Sequence, residues 1–154
     1  MNTEDLQLYK LTNAAGTELE ILNLGATVFS LKMQDCNGKF INVVVGPKYK
    51  EDYLTEAYLK ENMCFGASIG RYAGRISEGK FEIEGEEFQL YQKDGVHLHG
   101  GKSGLQHKFW EVKSQTTGEN PTITLNCFSI DGEEGYPGNI KAEVCYTLTE
   151  ENEL

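Results

Sequence analysis

Short apolar runs, each ended by turn-forming residues, follow one another along most of the sequence. Leu6–Leu11 and Glu18–Leu22 flank a turn signal at Asn13–Gly16. The strict alternation of Phe81–Glu84 stops at Gly85 and resumes at Phe88. Runs of this length between such turns predict β-hairpins. A chain of 154 residues built in this way is typical of one all-β domain, an antiparallel sandwich or barrel-like stack of sheets.

Other segments extend this prediction. Further strands are predicted at Val28–Met33, Phe40–Val45, Met63–Ile69, Phe109–Lys113, Thr122–Ile130 and Ile140–Leu148. Asn37-Gly38 is a strong hairpin signal, because a type I′ turn needs positive φ at both central residues. Lys50–Lys60 has apolar residues spaced for one face and predicts a short helix or an ordered loop.

Charge and cysteine content narrow the class of protein. The formal net charge is −10, which argues against nucleic acids and anionic membranes as partners, since both require clustered lysine and arginine. No apolar run approaches the length needed to span a bilayer. The four cysteines are widely spaced and form no CxxC pair, so we expect reduced thiols in a cytoplasmic protein.

Val96–Gly101 contains two of the three histidines, His97 and His99, followed by a glycine pair. If this segment is extended, the two rings point to opposite faces, so that one can face a cleft while the other packs. The glycines permit a sharp turn or a close approach of the backbone. Histidine can exchange a proton near neutral pH. On these residues alone, a strand end with two incidental histidines remains open.

Three further features are candidates for chemistry. Arg71 and Arg75, four residues apart, face the same side if extended, and their guanidinium groups suit carboxylates, phosphates or sugar hydroxyls. Tyr136 in the loop before Gly138 could offer an aromatic face to a sugar ring, or pack on its own turn. His97 and His99 could be a metal pair, but two ligands are too few, and we expect no metal.

Several motifs, taken together and in order, resemble the aldose 1-epimerase (galactose mutarotase) family. They are Asn23–Thr27, Asp35–Gly38, Val43–Gly46, Gly70–Ile76, Gly79–Phe81, Leu98–Gly101, the region of Trp110, and Asp131–Gly138. Each is weak alone, but the series covers nearly the whole chain. The resemblance implies a large antiparallel β-sandwich of the galactose mutarotase-like supersandwich type.

The resemblance also implies an activity, the interconversion of the α and β anomers of hexoses such as galactose and glucose. Ring opening by general acid–base catalysis needs no cofactor. By position, Arg75 and His99 resemble the sugar-binding arginine and the first active-site histidine of the family. Arg71 and Gly74 are weaker candidates for substrate binding. Gly74 stands where the family usually has asparagine, and Val96 offers no polar group where another asparagine is usual.

Length is the largest departure from the family, whose members are roughly twice as long. Their principal acid, a later histidine, and their base, a late glutamate, have no counterpart here: no histidine follows His107, and Glu133 and Glu134 do not match the motif. We therefore expect residues 1–154 to be the N-terminal portion of a single aldose 1-epimerase domain, with little catalysis alone and a tendency to self-associate through exposed strand edges.

Two other functions remain open. The first is a non-catalytic carbohydrate-binding protein on the same fold. The second is an enzyme acting on a hexose 6-phosphate, with Arg71 and Arg75 meeting the phosphate.

Overall fold

The computed structural model describes residues 3–61 and 63–154. Its strands are β1 (Leu8–Thr12), β2 (Glu18–Leu22), β3 (Thr27–Gln34), β4 (Phe40–Asn42), β5 (Arg75–Ser77), β6 (Lys80–Ile83), β7 (Glu86–Gln89), β8 (Val96–Leu98), β9 (Glu111–Gln115), β10 (Thr122–Ser129) and β11 (Ile140–Thr147). A 3-10 turn at Lys50–Leu54 leads into helix α1 (Glu56–Glu61), as the apolar spacing there predicts. None of the helices in these two ranges is long and apolar enough to cross a bilayer.

The strands form two main sheets and two small ones, with antiparallel pairing throughout the described ladders. The sheet orders are β1-β2-β3-β4, β11-β10-β9, β5-β8 and β6-β7. The first two sheets share one core: Leu11, Leu19 and Ile21 from the first pack with Ile123 and Leu125 from the second. Two sheets joined by one apolar layer are a sandwich, so the predicted antiparallel β-sandwich is confirmed.

Alternation along the strands explains this core. In β10, every second residue from Ile123 is buried, and Ile123 and Leu125 are fully enclosed. Their neighbours Thr124 and Asn126 are only half-buried on the other face. A residue period of two places one set of side chains against the facing sheet, so the hydrophobic pattern fixes which face is inside.

The Asn37-Gly38 hairpin is confirmed, but its turn is not type I′. Gly38 adopts positive φ (78°), whereas Asn37 is not among the residues with positive φ. Instead, the Asp35 carboxylate accepts the N–H groups of Asn37 and Lys39 at 2.8 and 2.9 Å. A side chain that binds nearby backbone in this way stabilises a longer loop.

The prediction of a buried strand at Met63–Ile69 is wrong. Cys64 and Gly66 have positive φ (50° and 68°), which interrupts extended structure. Gly66 lies directly on β3, where a Cβ atom would meet the Val28 carbonyl oxygen at 2.3 Å. The segment is therefore a loop pressed against the sheet edge. The strand predicted to reach Val45 also ends early, at Asn42.

Candidate functional site

Pairing of β5 with β8 brings the arginine segment and the histidine segment together. Arg75 lies opposite Leu98 in this ladder. Just beyond it, the His99 N–H donates to the Gly74 carbonyl at 2.9 Å, and the Gly74 N–H donates to His99 Nδ1 at 3.1 Å. Three of the predicted site residues, Gly74, Arg75 and His99, are therefore neighbours.

The hydrogen bond from Gly74 defines the tautomer of the His99 ring. Because Nδ1 accepts a hydrogen bond from a backbone N–H, the neutral ring carries its hydrogen on Nε2. His99 itself is half-buried and adopts a left-handed conformation, with φ of 51°. The strand ends at Leu98, so the predicted alternation of two extended histidines is wrong at the second position.

His97 has a different environment. It is fully buried, and its Nδ1 lies 2.6 Å from the Tyr91 carbonyl oxygen. A carbonyl can only accept, so Nδ1 carries the hydrogen and Nε2 accepts the Tyr136 hydroxyl hydrogen, also at 2.6 Å. His97 is thus a core histidine with both ring nitrogens bonded. Burial raises the pKa of Tyr136 to about 12, which keeps the hydroxyl a donor.

Arg71 is held by the loop that follows β10. Its Nε donates to Ser129 Oγ at 2.8 Å, and its two terminal nitrogens donate to the carbonyls of Pro137, Ser129 and Ile130. The guanidinium also lies 5.6 Å from the centre of the Tyr136 ring. Four of its five N–H groups are engaged within the protein. The arginine pair does not lie along one extended strand, because β5 begins only at Arg75.

The Ser129 hydroxyl continues this network to two charged residues. Ser129 donates to the Glu133 carboxylate, which also accepts from Lys108 at 2.5 Å. Partial burial alone would raise the pKa of Glu133, but the bonds from Lys108 and Ser129 lower it below its usual range. Glu133 is therefore an ionised partner of the loop.

The glycine pair after His99 allows two backbones to meet. Gly100 has φ of 78°, and a Cβ atom there would lie 1.6 Å from the Gly70 carbonyl oxygen. Next to it, the N–H groups of Lys102 and Ser103 donate to the Glu134 carboxylate at 3.0 and 2.7 Å. The close approach permitted by these glycines is thus to another segment of the chain.

A cleft of about 530 Å³ opens beside these segments. Its lining combines two guanidinium groups with aromatic and aliphatic side chains: Arg71, Tyr72, Arg75, Ile76, Phe81, Ile83, Tyr136, Pro137 and Ile140. Arg75 is exposed here, and the Tyr136 ring lies in the wall with its hydroxyl bonded to His97. His99 is not in this lining; its ring is bonded to Gly74, which directly precedes the lining residue Arg75.

The contacts that sequence reasoning missed are mostly long-range. Ser129, Glu133 and Glu134 fix the Arg71 and Gly101 loops, and Gln106 donates to the His99 carbonyl at 2.8 Å. A loop rich in glycine and acidic residues is a weak local signal, and it does not indicate which residue thirty positions away it contacts.

Within residues 3–61 and 63–154, no three His, Cys, Asp or Glu side chains are grouped as a metal site requires.

Comparison with known sequences extends these observations to the whole chain. The family model described as aldose 1-epimerase matches residues 7–154. An aldose 1-epimerase of Haemophilus influenzae is 37% identical over 149 residues, which is 96% of this chain and 41% of that protein. The human galactose mutarotase is 37% identical over 131 residues, 84% of this chain and 36% of the relative.

Solved structures agree. The GalM/aldose epimerase homologue from C. elegans superposes with a TM-score of 0.83 at 26% identity, covering 96% of this chain and 43% of the other. Galactose 1-epimerase from Lactobacillus acidophilus gives a TM-score of 0.80 at 33% identity, covering 96% and 41%. The chain thus spans about two fifths of the length of these relatives. Both the predicted galactose mutarotase-like fold and the resemblance in sequence are confirmed, and the chain belongs to the aldose 1-epimerase family.

Proposed function

We propose that this chain forms the N-terminal part of a hexose mutarotase domain, in which Arg75 and His99 bind the sugar. The observation that carries the proposal is the reciprocal pair of hydrogen bonds between Gly74 and His99. It fixes an imidazole with an Nε2–H donor just beyond the strand that pairs with Arg75, whose side chain is exposed. Two donors of different shape, an imidazole N–H and a guanidinium fork, suit the ring and exocyclic oxygens of an aldose.

Anomer interconversion defines what each group would do. Ring opening removes the proton of the anomeric hydroxyl and delivers a proton to the ring oxygen, and closure reverses both transfers. The Arg75 fork orients adjacent hydroxyls, and His99 Nε2–H polarises the ring-oxygen side. Gly74 contributes its backbone, which fixes the His99 ring. None of these steps requires a cofactor.

The proton-transferring acid and base belong to polypeptide beyond these residues. Glu133 is ion-paired with Lys108, and the Glu134 carboxylate binds the backbone of Lys102 and Ser103. Both acids are committed to loop structure, so neither serves as a free base. The chain alone is therefore expected to bind sugar and to exchange anomers little or not at all.

Two alternatives make different predictions. A non-catalytic carbohydrate-binding protein would bind the same sugars. In that case, adding the C-terminal part of a family member to this chain would not produce anomer exchange. A hexose 6-phosphate enzyme would use Arg71, but most donors of that side chain are engaged by Ser129, Ile130 and Pro137. That engagement favours an unphosphorylated sugar.

Sugar affinity in matched variants tests the proposal. Arg75→Met removes the guanidinium, and His99→Asn keeps a short side chain that tolerates positive φ and can accept the Gly74 N–H, while removing Nε2. Each should weaken D-galactose binding about 10- to 100-fold, the loss of a hydrogen bond to a charged or strongly polarised group. Calorimetry measures the affinities, and galactitol, which has no ring, is the control ligand. Equal affinities in wild type and both variants contradict the proposal.

Catalysis is tested separately by polarimetry of fresh α-D-galactose. The chain alone should give the spontaneous rate. Rapid mutarotation by residues 1–154 would refute the assignment of the acid and base to other polypeptide, while leaving the sugar-binding proposal to the calorimetry.

The four free thiols, of which two are exposed, fit the reducing cytoplasm that we propose as the location of this protein.

Self-association is the last part of the proposal. Edge strand β4 exposes Phe40 and Ile41, and Val43 and Val45 just beyond it are also exposed. Exposed apolar edges promote pairing with a second chain. Light scattering after size exclusion should show a concentration-dependent dimer that Ile41→Lys reduces. A monomer at all concentrations contradicts this part.

A further inference from the structure

The turn that carries His99 is short and has an unfavourable backbone conformation. The Gly101 N–H donates to the Leu98 carbonyl at 2.9 Å, so that His99 and Gly100 are the two central residues of the turn. Both have positive φ, 51° and 78°. This conformation suits glycine but is disfavoured for a residue with a Cβ atom, such as histidine. Such a residue persists only where the surrounding contacts fix its backbone, so the turn requires support.

Glu134, in the loop between β10 and β11, bonds to both ends of the segment that contains this turn. Its carboxylate accepts the N–H groups of Lys102 and Ser103, directly after the turn, at 3.0 and 2.7 Å. Its backbone carbonyl accepts the Tyr91 N–H, which precedes β8, at 2.8 Å. Residues 91–103, which include β8 and the turn, are therefore bonded at each end to one residue of a distant loop.

Two glycines allow the loop to approach this segment closely. A Cβ atom at Gly101 would lie 2.1 Å from Glu134 Oε2, and one at Gly135 would lie 2.2 Å from the Gln89 carbonyl oxygen. Glu134 is itself half-buried and has positive φ, 55°. Two residues with Cβ atoms, Glu134 and His99, thus adopt disfavoured conformations on the two sides of one contact. Each conformation depends on the contacts that hold the loop and the turn together.

We propose that Glu134 is a positioning residue for His99. By bonding both ends of residues 91–103, it holds the turn in the conformation in which the His99 ring accepts the Gly74 N–H. A carboxylate suits this task, because hydrogen bonds to an ionised acceptor are stronger than those between neutral groups. The functional importance of His99 rests on the proposed function, whereas the positioning of the turn by Glu134 does not.

Nuclear magnetic resonance of the labelled chain tests the positioning without a ligand. Glu134→Met removes both acceptor oxygens and keeps a side chain of similar length, so it should shift the Lys102 and Ser103 amide resonances. The His99 amide, which is bonded to the Gly74 carbonyl, should exchange its hydrogen about tenfold faster. Glu134→Gln keeps one acceptor oxygen and should give a smaller increase.

Asp35 provides a matched control. Its carboxylate also accepts two backbone N–H groups, those of Asn37 and Lys39, but in the hairpin between β3 and β4. Asp35→Leu, like Glu134→Met, removes one negative charge and two hydrogen bonds, and it should leave His99 exchange unchanged. Equal His99 exchange in the two variants overturns the inference.

The amides of the central core strand β10 report on stability as a whole. In Glu134→Met their exchange should change less than that of the His99 amide, because the loss of support is local. An equal acceleration of both would show a general loss of stability and would overturn the positioning role. If Glu134→Met does not fold, Glu134→Gln decides, and unchanged His99 exchange in that variant likewise overturns it.

Galactose affinity tests whether the positioning matters for binding. The Kd of D-galactose should rise about fivefold in Glu134→Met, because the binding conformation of His99 is then only partly populated. The rise should be smaller in Glu134→Gln and absent in Asp35→Leu. An unchanged Kd in Glu134→Met overturns the role of Glu134 in sugar binding. Failure of the wild-type chain to bind galactose refutes the proposed function and leaves the exchange measurements as the test of the positioning.

Discussion

The sandwich core and the candidate site are built by different means. In the core, Leu125 and its neighbours alternate along regular strands and pack against the first sheet, so apolar burial alone selects the arrangement. In the site, Gly74, His99 and Gly100 lie outside regular strands and have positive φ. Hydrogen bonds and close backbone contacts hold them. The difference implies that core substitutions change stability without moving the site, whereas site substitutions also change the local geometry.

The largest expected effect is in the core. Leu125→Ala leaves a cavity in the shared layer and should lower the free energy of unfolding by about 2–5 kcal/mol. Phe128→Ala on the same strand is the control, because Phe128 is 54% exposed. Urea unfolding measures both. Similar losses of stability in the two variants would contradict the account of the core. The fraction of Leu125→Ala protein that stays folded should bind sugar as wild type does.

Next in size is a glycine substitution in the site. Gly100→Ala and Gly38→Ala both place a side chain at φ of 78°, but only Gly100 faces a contact, the Gly70 carbonyl. Both lose about 1–2 kcal/mol to left-handed strain. Gly100→Ala should lose about 1–3 kcal/mol more through overpacking, and it should displace His99.

Unfolding curves and the His99 amide shift of both variants test this difference. Equal stability, together with an unmoved His99 resonance, would show that the close approach of the two backbones is unimportant.

A smaller effect is expected from the buried histidine. Tyr136→Phe keeps the aromatic ring but leaves His97 Nε2 without its donor, which should cost about 1–3 kcal/mol. Tyr91→Phe, which removes the hydroxyl of an exposed tyrosine, should change stability little. Thermal unfolding distinguishes them. A Tyr136→Phe protein as stable as wild type would contradict the bonding assigned to His97.

The smallest effect is a dependence on pH. Burial lowers the pKa of His107 below its ordinary value of 6.5, although the nearby Glu134 charge acts in the opposite direction. As the pH falls, the unfolded chain therefore binds more protons at this position than the folded chain does. The contribution of neutral His107 to the free energy of unfolding is complete above pH 6.5 and is lost as the pH falls through and below that value. One group contributes a slope of at most about 1.4 kcal/mol per pH unit.

His107→Gln should therefore flatten the stability profile between pH 7 and pH 5. An unchanged profile would show that other groups cause the dependence.

The two regions also differ in how far sequence reasoning reached. The hairpins and the β10 core followed from residue alternation and turn signals, because these are local properties of the chain. The site depended on pairings between distant segments. His99 and Arg75 were identified by family resemblance, whereas the bonds of Arg71 to Ser129 and of His99 to Gln106 had no local signal. Met63–Ile69 failed because glycine packing against β3 outweighed its apolar composition.

The central claim is that Arg75 and His99 together contact a sugar. A crystal structure of this chain grown with saturating D-galactose tests it most directly. We predict a pyranose ring within hydrogen-bond distance of both the Arg75 guanidinium and His99 Nε2, beside the wall formed by Tyr136. A sugar bound elsewhere, or one that touches neither side chain, would contradict the claim.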